Sequence, residues 1–314
     1  MNKCNFCRNN KFIELFKTQD YKTNRTFSIL KCHKCDLAFT SPRLSKKDLV
    51  KYYEGYRDNA NKRFWSPIEK FIYFWHKRRV KHIEKLVDKG KILDVGCGRA
   101  LELEMLKKHG WLTYATEFSE KLRGNLLKKG VHPFFCEIWQ LRKKNNFFDV
   151  ITLWHSLEHI SDPAKVIKTS HRLLRKNGYL VIEVPNFGSF ERKLFGQFWF
   201  HLDLPRHLYH FSKESLLKEL KDNQFKIVEE KHAAPEYDFF SFWQGSLNKI
   251  FSRFPNVIYR FLLKDYKTGY FVMMIVLLQI PVLIFIIVIS FFIVPIFWLN
   301  KQSGTIKITA RKIS

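Results

Sequence analysis

Acidic residues are what this 314-residue sequence is short of: 29 of them face 55 lysines and arginines, leaving a formal net charge of +26. An excess of that size points to an anionic partner, either nucleic acid or an acidic leaflet surface. The abundance of Lys, Asn, Ile and Phe fits the compositional bias of an AT-rich genome equally well. A secretory leader is also missing, because "MNKCNFCRNNKFIELF" contains no apolar h-region. The N-terminal half is therefore expected in the cytosol, where thiols stay reduced. Charge is missing altogether from Tyr270 to Asn300. A run of that length exceeds the roughly 20 residues of a single span and exceeds a buried core helix, so it predicts membrane contact.

Six cysteines are present, and four of them pair up. Cys4 and Cys7 form one CxxC in "CNFC", and Cys32 and Cys35 form another in "CHKC". Two such knuckles, each giving two thiolates to one side of an ion across a short ribbon of strands, suit a tetrahedral structural Zn²⁺. A segment this small makes a poor core without a metal. A thioredoxin-like redox pair is the rival reading, but it needs one CxxC opening a helix inside a βαβ unit. Cys97 and Cys136 read as ordinary small buried residues. Residues 1–45 are thus expected to form a zinc ribbon, followed over 46–90 by an aromatic, basic linker and N-terminal helices.

After Gly90 the pattern changes. "KILDV", "WLTYATE", "HPFFCE", "FFDVITLW" and "YLVIEVP" are short apolar strands. Between them lie helical stretches such as "ALELEMLKKHG" and "DPAKVIKTSHRLLRKNG", each closed by a glycine. Apolar strands alternating with amphipathic helices predict an α/β fold, a doubly wound parallel sheet covered on both faces. The first strand runs into "DVGCGRA", where glycines let the backbone pass close to a ligand and a helix N-terminus presents unpaired amides. Glu117 ends the second strand, where a carboxylate can accept both hydroxyls of a ribose. A Gly-rich loop alone is a weak signal; the order of elements and Glu117 sharpen it.

From Lys91 to Gly188 the chain resembles the S-adenosylmethionine-dependent methyltransferases with a Rossmann-like fold. The matching residues are "LDVGCGRA", "ATEFSE", "FDVITLWHSLEHISDP" and "LLRKNGYLVIEVPN". The resemblance implies that Asp94, Gly96, Gly98 and Glu117 bind S-adenosylmethionine, with Glu137 a weaker candidate for an adenine contact. A third glycine is common in that family where Ala100 stands. A dehydrogenase using NAD is the competing Rossmann reading and would prefer GxGxxG. The zinc-ribbon-like N-terminus with "SPRL…YYEGYR", and the segment "HLDLPRHLYHFSKESLLKEL", are similar to a subgroup that modifies sugars or other small metabolites.

For chemistry, "WHSLEHI" follows the fourth strand, and His155, Glu158 and His159 stand at i, i+3 and i+4, on one face if the segment turns helically. A histidine there is suited to take a hydroxyl proton at neutral pH. The stretch is similar to the E-x-x-E-H of ubiquinone-pathway O-methyltransferases, which the resemblance links to a divalent cation; here His155 replaces the first glutamate. The plainer reading is that Glu158 and His159 only brace the loop. A second cluster lies in "DLPRHLYHF". Arg206 and His210 are candidates to hold a phosphate or polar headgroup, and His207 is a further catalytic candidate. Otherwise Pro205 and Arg206 merely shape the start of the next helix.

The apolar run can now be placed. "FKIVEEKHA" reads as a sixth strand, and "GTIKITARK" alternates as a seventh strand should. The resemblance implies that this strand lies antiparallel beside the sixth, completing a seven-stranded sheet. The catalytic domain is then 91–233 plus 304–314, and 234–303 is an insertion. If the seventh strand returns to the sheet, the insertion must enter and leave the bilayer on one side. It is expected as a membrane-associated helical hairpin bent near Pro281 or Pro295, with basic flanks on the cytoplasmic face. A plain single-span anchor is the alternative.

These expectations describe a methyltransferase at the cytoplasmic membrane face, probing a lipid surface and acting, by O-methylation, on a lipid-linked, glycan-precursor or isoprenoid-type small molecule. An RNA or nucleotide-sugar methyltransferase, or a non-catalytic scaffold, are the other readings; nucleic acid is not the expected partner, and a homo-oligomer is left open.

Overall fold

The computed structural model describes residues 3–21, 23–53, 66–262 and 270–313. Residues 54–57 of the aromatic linker motif, and the basic positions 264 and 267 before the apolar run, lie outside them. In chain order, β1 (Phe12–Gln19), β2 (Thr26–Cys32) and β3 (Ala38–Ser41) precede α1 (Lys46–Tyr53) and α2 (Ser66–Leu86). Then come β4 (Lys91–Val95), α3 (Leu101–Lys108), β5 (Leu112–Thr116), α4 (Arg123–Lys128), β6 (His132–Phe134) and β7 (Phe148–Trp154). α5 (Pro163–Leu173), β8 (Leu174–Pro185), α6 (Phe190–Phe195), β9 (Tyr209–His210), α7 (Lys213–Asp222) and β10 (Phe225–Lys231) follow. α8 (Pro235–Ile250), α9 (Val257–Leu262), α10 (Tyr270–Leu299) and β11 (Thr305–Lys312) complete the chain.

Two compact units result, one from Met1–Gly55, Pro185–Lys213 and Lys231–Ile306, the other from Tyr56–Val184, Glu214–Glu230 and Lys307–Ser314. The second unit is the α/β unit. Its seven-stranded sheet has the order β10-β11-β8-β7-β4-β5-β6, with β4, β5, β6, β7 and β8 paired in parallel. Ile92, Leu93, Val150, Ile151, Leu180 and Val181 are fully buried, as strands covered on both faces require. The seventh strand takes the expected place between β8 and β10. It runs against β8: the Asn186 amide, just past the end of β8, donates to Gly304 O before β11 begins. At the opposite end, Lys312 Nζ donates to Leu174 O at the start of β8. One helix is shorter than the pattern predicts. α5 stops at Leu173 rather than at Gly178, and the chain is already extended from Leu174. Gly178 lies so close to the Asp149 carbonyl of β7 and the Arg175 carbonyl of its own strand that a Cβ there would approach them to 3.0 and 2.9 Å, a close backbone approach rather than a helix stop.

The first unit holds the antiparallel sheet β1-β2-β3-β9 and the helices α8, α9 and α10. Here one expectation is corrected. The apolar run does not bend at Pro281 or Pro295; α10 passes through both as one 30-residue helix. The hairpin has α8 and α9 as one leg and α10 as the other. Phe254 meets Phe271 edge-on at one end, and Trp298 Nε1 donates to Asp238 Oδ2 at 2.7 Å at the other. An interior proline costs a helix about 3 kcal/mol. Packing along the length of α10 offsets this: Phe239 against Phe291 and Trp298, Phe242 against Phe297, and a Trp243 Nε1 to Ser290 Oγ hydrogen bond of 2.8 Å. Ile275, Gln279, Ile286, Ser290 and Phe297 fall on the buried face of α10; Leu277, Ile284, Phe285, Val288 and Phe292 fall on the exposed one.

Candidate active site

The α/β unit builds its site where β4 turns into α3. Gly96 and Gly98 take left-handed backbone angles (φ +78° and +49°), as does Ala100 (φ 51°), which is buried where a third glycine was a common family choice. A Cβ on Gly96 would come within 2.9 Å of Ser156 Cβ, whereas nothing lies within 4 Å of one on Gly98. The loop is therefore pressed against the end of β7 at Gly96 and open at Gly98. Glu117 is 5 % exposed and fixes that opening. Its Oε2 accepts the Gly98 amide at 3.0 Å, and its Oε1 accepts the amides of Phe118 and Ser119 at 2.8 and 3.0 Å. A carboxylate has about four lone-pair positions, so Oε2 keeps capacity toward the open side.

Asp94 lies beneath the loop, accepting the Thr152 hydroxyl at 2.8 Å. Burial, reinforced by the nearby Glu102 carboxylate, pushes its pKa up to about 8. A carboxyl in that state gains most from an arriving cation. The Ser156 hydroxyl, buried beside Gly96, has no hydrogen-bond partner among the described residues. An open glycine, a buried acid whose pKa is pushed up, an orphaned hydroxyl and a ribose-type acceptor together fit S-adenosylmethionine, which carries an ammonium, a sulfonium and a ribose diol. Glu137 closes a capping box with Gln140 after β6, so its carboxylate also serves the local turn.

Next to the cradle is a buried charge network that the sequence reading missed. Arg79 of α2 pairs with Glu102 of α3 at 3.0 Å and with Glu183 of β8. Its guanidinium also stacks over Trp154, 4.6 Å from the ring centre. His76 joins Glu102 at 2.6 Å. Burial would raise the pKa of Glu102, but His76 and Arg79 overcome it and hold it down at about 2. A lone carboxylate in the apolar strand "YLVIEVP" was the available signal for Glu183. Arg79 carried none, lying in a helix dense with cations.

His155 sits at φ 47°, its amide tied to Glu183 O at 2.8 Å. Its ring lies between Glu158 (3.6 Å) and Glu183 (3.4 Å). Burial disfavours the imidazolium, yet the two carboxylates outweigh it and push the pKa up to about 9. His155, Glu158 and Glu183 are thus brought together. Glu158 is buried on the 3-10 turn Leu157–His159, where His159 is half-buried.

The residues of "DLPRHLYHF" belong to the first unit. Arg206 is buried and donates to Asp203 Oδ1 and to the Tyr21 hydroxyl (3.3 Å). His207 Nδ1 donates to His201 O at 2.8 Å. His210 meets the Thr40 hydroxyl at 3.0 Å, and burial, with Arg192 nearby, lowers its pKa to about 3. Of these side chains, His210 ties β9 to β3, while Arg206 and His207 brace the turn that precedes β9.

The same unit carries the four-cysteine cluster. Cys4 and Cys35 sulfurs are 3.4 Å apart, as are those of Cys7 and Cys32, and all four lie within 4.8 Å of one another. Tetrahedral coordination with bonds of about 2.3 Å needs sulfurs about 3.8 Å apart, so the set fits a metal. Both knuckles end alike, with Arg8 and Asp36 at φ 60° just after the second cysteine. Cys97 and Cys136 are half-buried and stand apart from the cluster.

A model of a methyltransferase domain matches residues 68–230, just over half of the chain. A ubiquinone biosynthesis O-methyltransferase of Coxiella burnetii (strain RSA 493 / Nine Mile phase I) is 29% identical over 160 residues, 48% of this chain and 66% of that protein. Its namesake from Pasteurella multocida is 29% identical over 147 residues, 40% of this chain and 60% of that one. The chain therefore spans slightly under two thirds of these relatives' length. A solved structure from Galdieria sulphuraria, assigned as a sarcosine dimethylglycine methyltransferase, superposes with a TM-score of 0.50. It is 13% identical and covers 85% of this chain and 98% of that one, a likeness of fold alone.

Proposed function

Because the chain belongs to the methyltransferase-domain family, we propose that it transfers a methyl group from S-adenosylmethionine to a hydroxyl of a lipid-linked, glycan-precursor or isoprenoid-type molecule at the cytoplasmic face of a membrane. The observation that carries the reading is the open left-handed turn at Gly98, held by the Glu117 carboxylate. When bound, the cofactor supplies an electrophilic methyl group on a sulfonium. Glu117 would accept one ribose hydroxyl through the lone-pair position left on Oε2. Asp94 would lie against the ammonium, whose charge offsets the burial that otherwise keeps the acid protonated. Gly98 lets the ligand approach the backbone without a side chain in the way.

The acceptor hydroxyl must lose a proton as its oxygen attacks. His155 is poorly suited to take it, since it is already held as an imidazolium between two carboxylates. Glu158 and His159 are the groups left to act as base, with His155 fixing the Glu158 carboxylate. The curated relatives act in ubiquinone biosynthesis by their names, which favours an isoprenoid-type acceptor.

The membrane part rests on α10, whose exposed face is apolar from Tyr270 to Leu299. A hairpin returning to its own base suits a helix seated along one leaflet, with that face in the acyl region. The four cysteines are proposed to hold a structural Zn²⁺. Incubating the full chain in lipid nanodiscs with methyl-labelled S-adenosylmethionine and a bacterial lipid extract tests the proposal. Label in the lipid fraction is expected. Label only in added RNA overturns the acceptor class, and no cofactor binding by calorimetry would leave a scaffold.

A further inference from the structure

The N-terminal half of α2 exposes a face that the cofactor cradle does not use. Phe71, Tyr73 and Phe74 are 52%, 44% and 56% exposed, unusual values for aromatics on a helix whose other side is packed. Lys70, Lys77, Arg78 and Lys81 are exposed on the same helix, and Lys70, Phe74, Lys77 and Lys81 recur every three or four residues along one stripe. Two of these rings form a surface cluster with Trp75: Phe71 and Phe74 both meet it edge-on, at 5.9 and 5.4 Å. Arg78 lies over this cluster, 4.6 Å from the centre of Trp75, and Lys77 lies over Tyr73 beside it at 5.2 Å. The acids of α2 are engaged elsewhere, Glu69 with Arg99 at 2.8 Å and Glu84 with His109 at 2.7 Å.

We propose that this aromatic and basic face of α2 docks on an anionic phospholipid surface, a membrane contact separate from α10. The inference rests on the membrane setting proposed above but not on the identity of the acceptor. Interleaved aromatics and cations suit the headgroup layer: rings enter the acyl boundary while ammonium and guanidinium groups meet lipid phosphates. Bases of RNA could stack on such rings too. The lipid is favoured because the same chain carries the uncharged α10. The contact has a functional consequence within the α/β unit. Glu69, on the first turn of α2, binds Arg99 in the glycine loop, and His76 and Arg79 further along bind Glu102. A lipid seat for α2 is thereby coupled to the cradle itself.

The test places a photoreactive phenylalanine at position 74 or, separately, at position 285 on the exposed face of α10, in the full chain reconstituted in nanodiscs. Irradiation is followed by mass spectrometry of the adducts. Phospholipid adducts at position 74 are expected in discs containing phosphatidylglycerol and should fall about tenfold in phosphatidylcholine alone or in the Lys77→Glu, Arg78→Glu variant. Lipid adducts at 285 with none at 74 overturn this proposal and leave the α10 seat standing. Adducts at neither position overturn both. Capture of added RNA in place of lipid at 74 overturns the lipid assignment.

Discussion

The Glu117 carboxylate accepts the Gly98 amide at 3.0 Å, so the acid that follows β5 also shapes the turn that follows β4. One side chain both holds the turn and keeps an acceptor position on its open side. Glu117→Ala removes a charged hydrogen-bond acceptor worth about 1.5–3 kcal/mol. Calorimetric titration with S-adenosylmethionine should show affinity weakened by about ten- to a hundredfold. A change under twofold would place the cofactor elsewhere.

The two glycines of the turn separate stability from binding. Gly96→Ala meets both left-handed strain and the Ser156 Cβ, and should cost about 2–4 kcal/mol of folding stability. Gly98→Ala meets no neighbour and should cost only about 1–2 kcal/mol. Its cofactor affinity should nevertheless fall, because the added methyl group occupies the open side. Thermal melts and titrations on the same samples check the contrast.

His155 gives a pH signature. Its pKa rises on folding from 6.5 to about 9, so the folded state binds the proton more tightly than the unfolded state. The stabilisation is fully present below about pH 6.5 and is lost as pH climbs through about 9. The melting-temperature advantage of the native chain over His155→Gln should therefore shrink between pH 6.5 and pH 9. An advantage independent of pH would mean that the ring is not held as a cation.

Metal removal should act on the ribbon. One zinc per chain is expected by elemental analysis, and Cys7→Ser should abolish it. A strong chelator should loosen the β1-β2-β3 ribbon, seen as faster hydrogen exchange in those strands, because metal binding supplies folding free energy to the segment that carries the ligands. Unchanged exchange after complete metal loss would refute a structural role.

Replacing Phe285 and Phe292 together by Asp puts two charges on the apolar side of α10 without touching its packed side. Flotation with vesicles of phosphatidylcholine alone, which offer the basic face of α2 no anionic lipid, should fall several-fold while far-ultraviolet circular dichroism stays native. Retained flotation would mean that α10 does not provide the seat.

Much of this was legible in the residues. Strict alternation in "GTIKITARK" betrayed β11 across an insertion of some seventy residues, since period two is robust over even eight positions. The CxxC pairs and the Asp94–Glu117 spacing were equally local signals. The charge network was not legible, because Arg79, Glu102 and Glu183 come from α2, α3 and β8 and meet only once the sheet is formed. Continuity of α10 was misjudged because Pro281 and Pro295 read as bends. Their cost is set against aromatic packing from α8, which no window of sequence contains. The contact of His210 with Thr40, on a strand some 170 residues away, was not legible for the same reason.

The place of β11 also sets an order of events. During synthesis β8 and β10 are complete well before their common neighbour exists, and the gap between them can close only after α10 has been made. Until then the sheet carries two unpaired edges, a condition that invites mispairing. The greasiest helix in the chain must find its surroundings before the most buried sheet is finished. A finished catalytic sheet, on this ordering, is itself a report that the apolar helix has already been made.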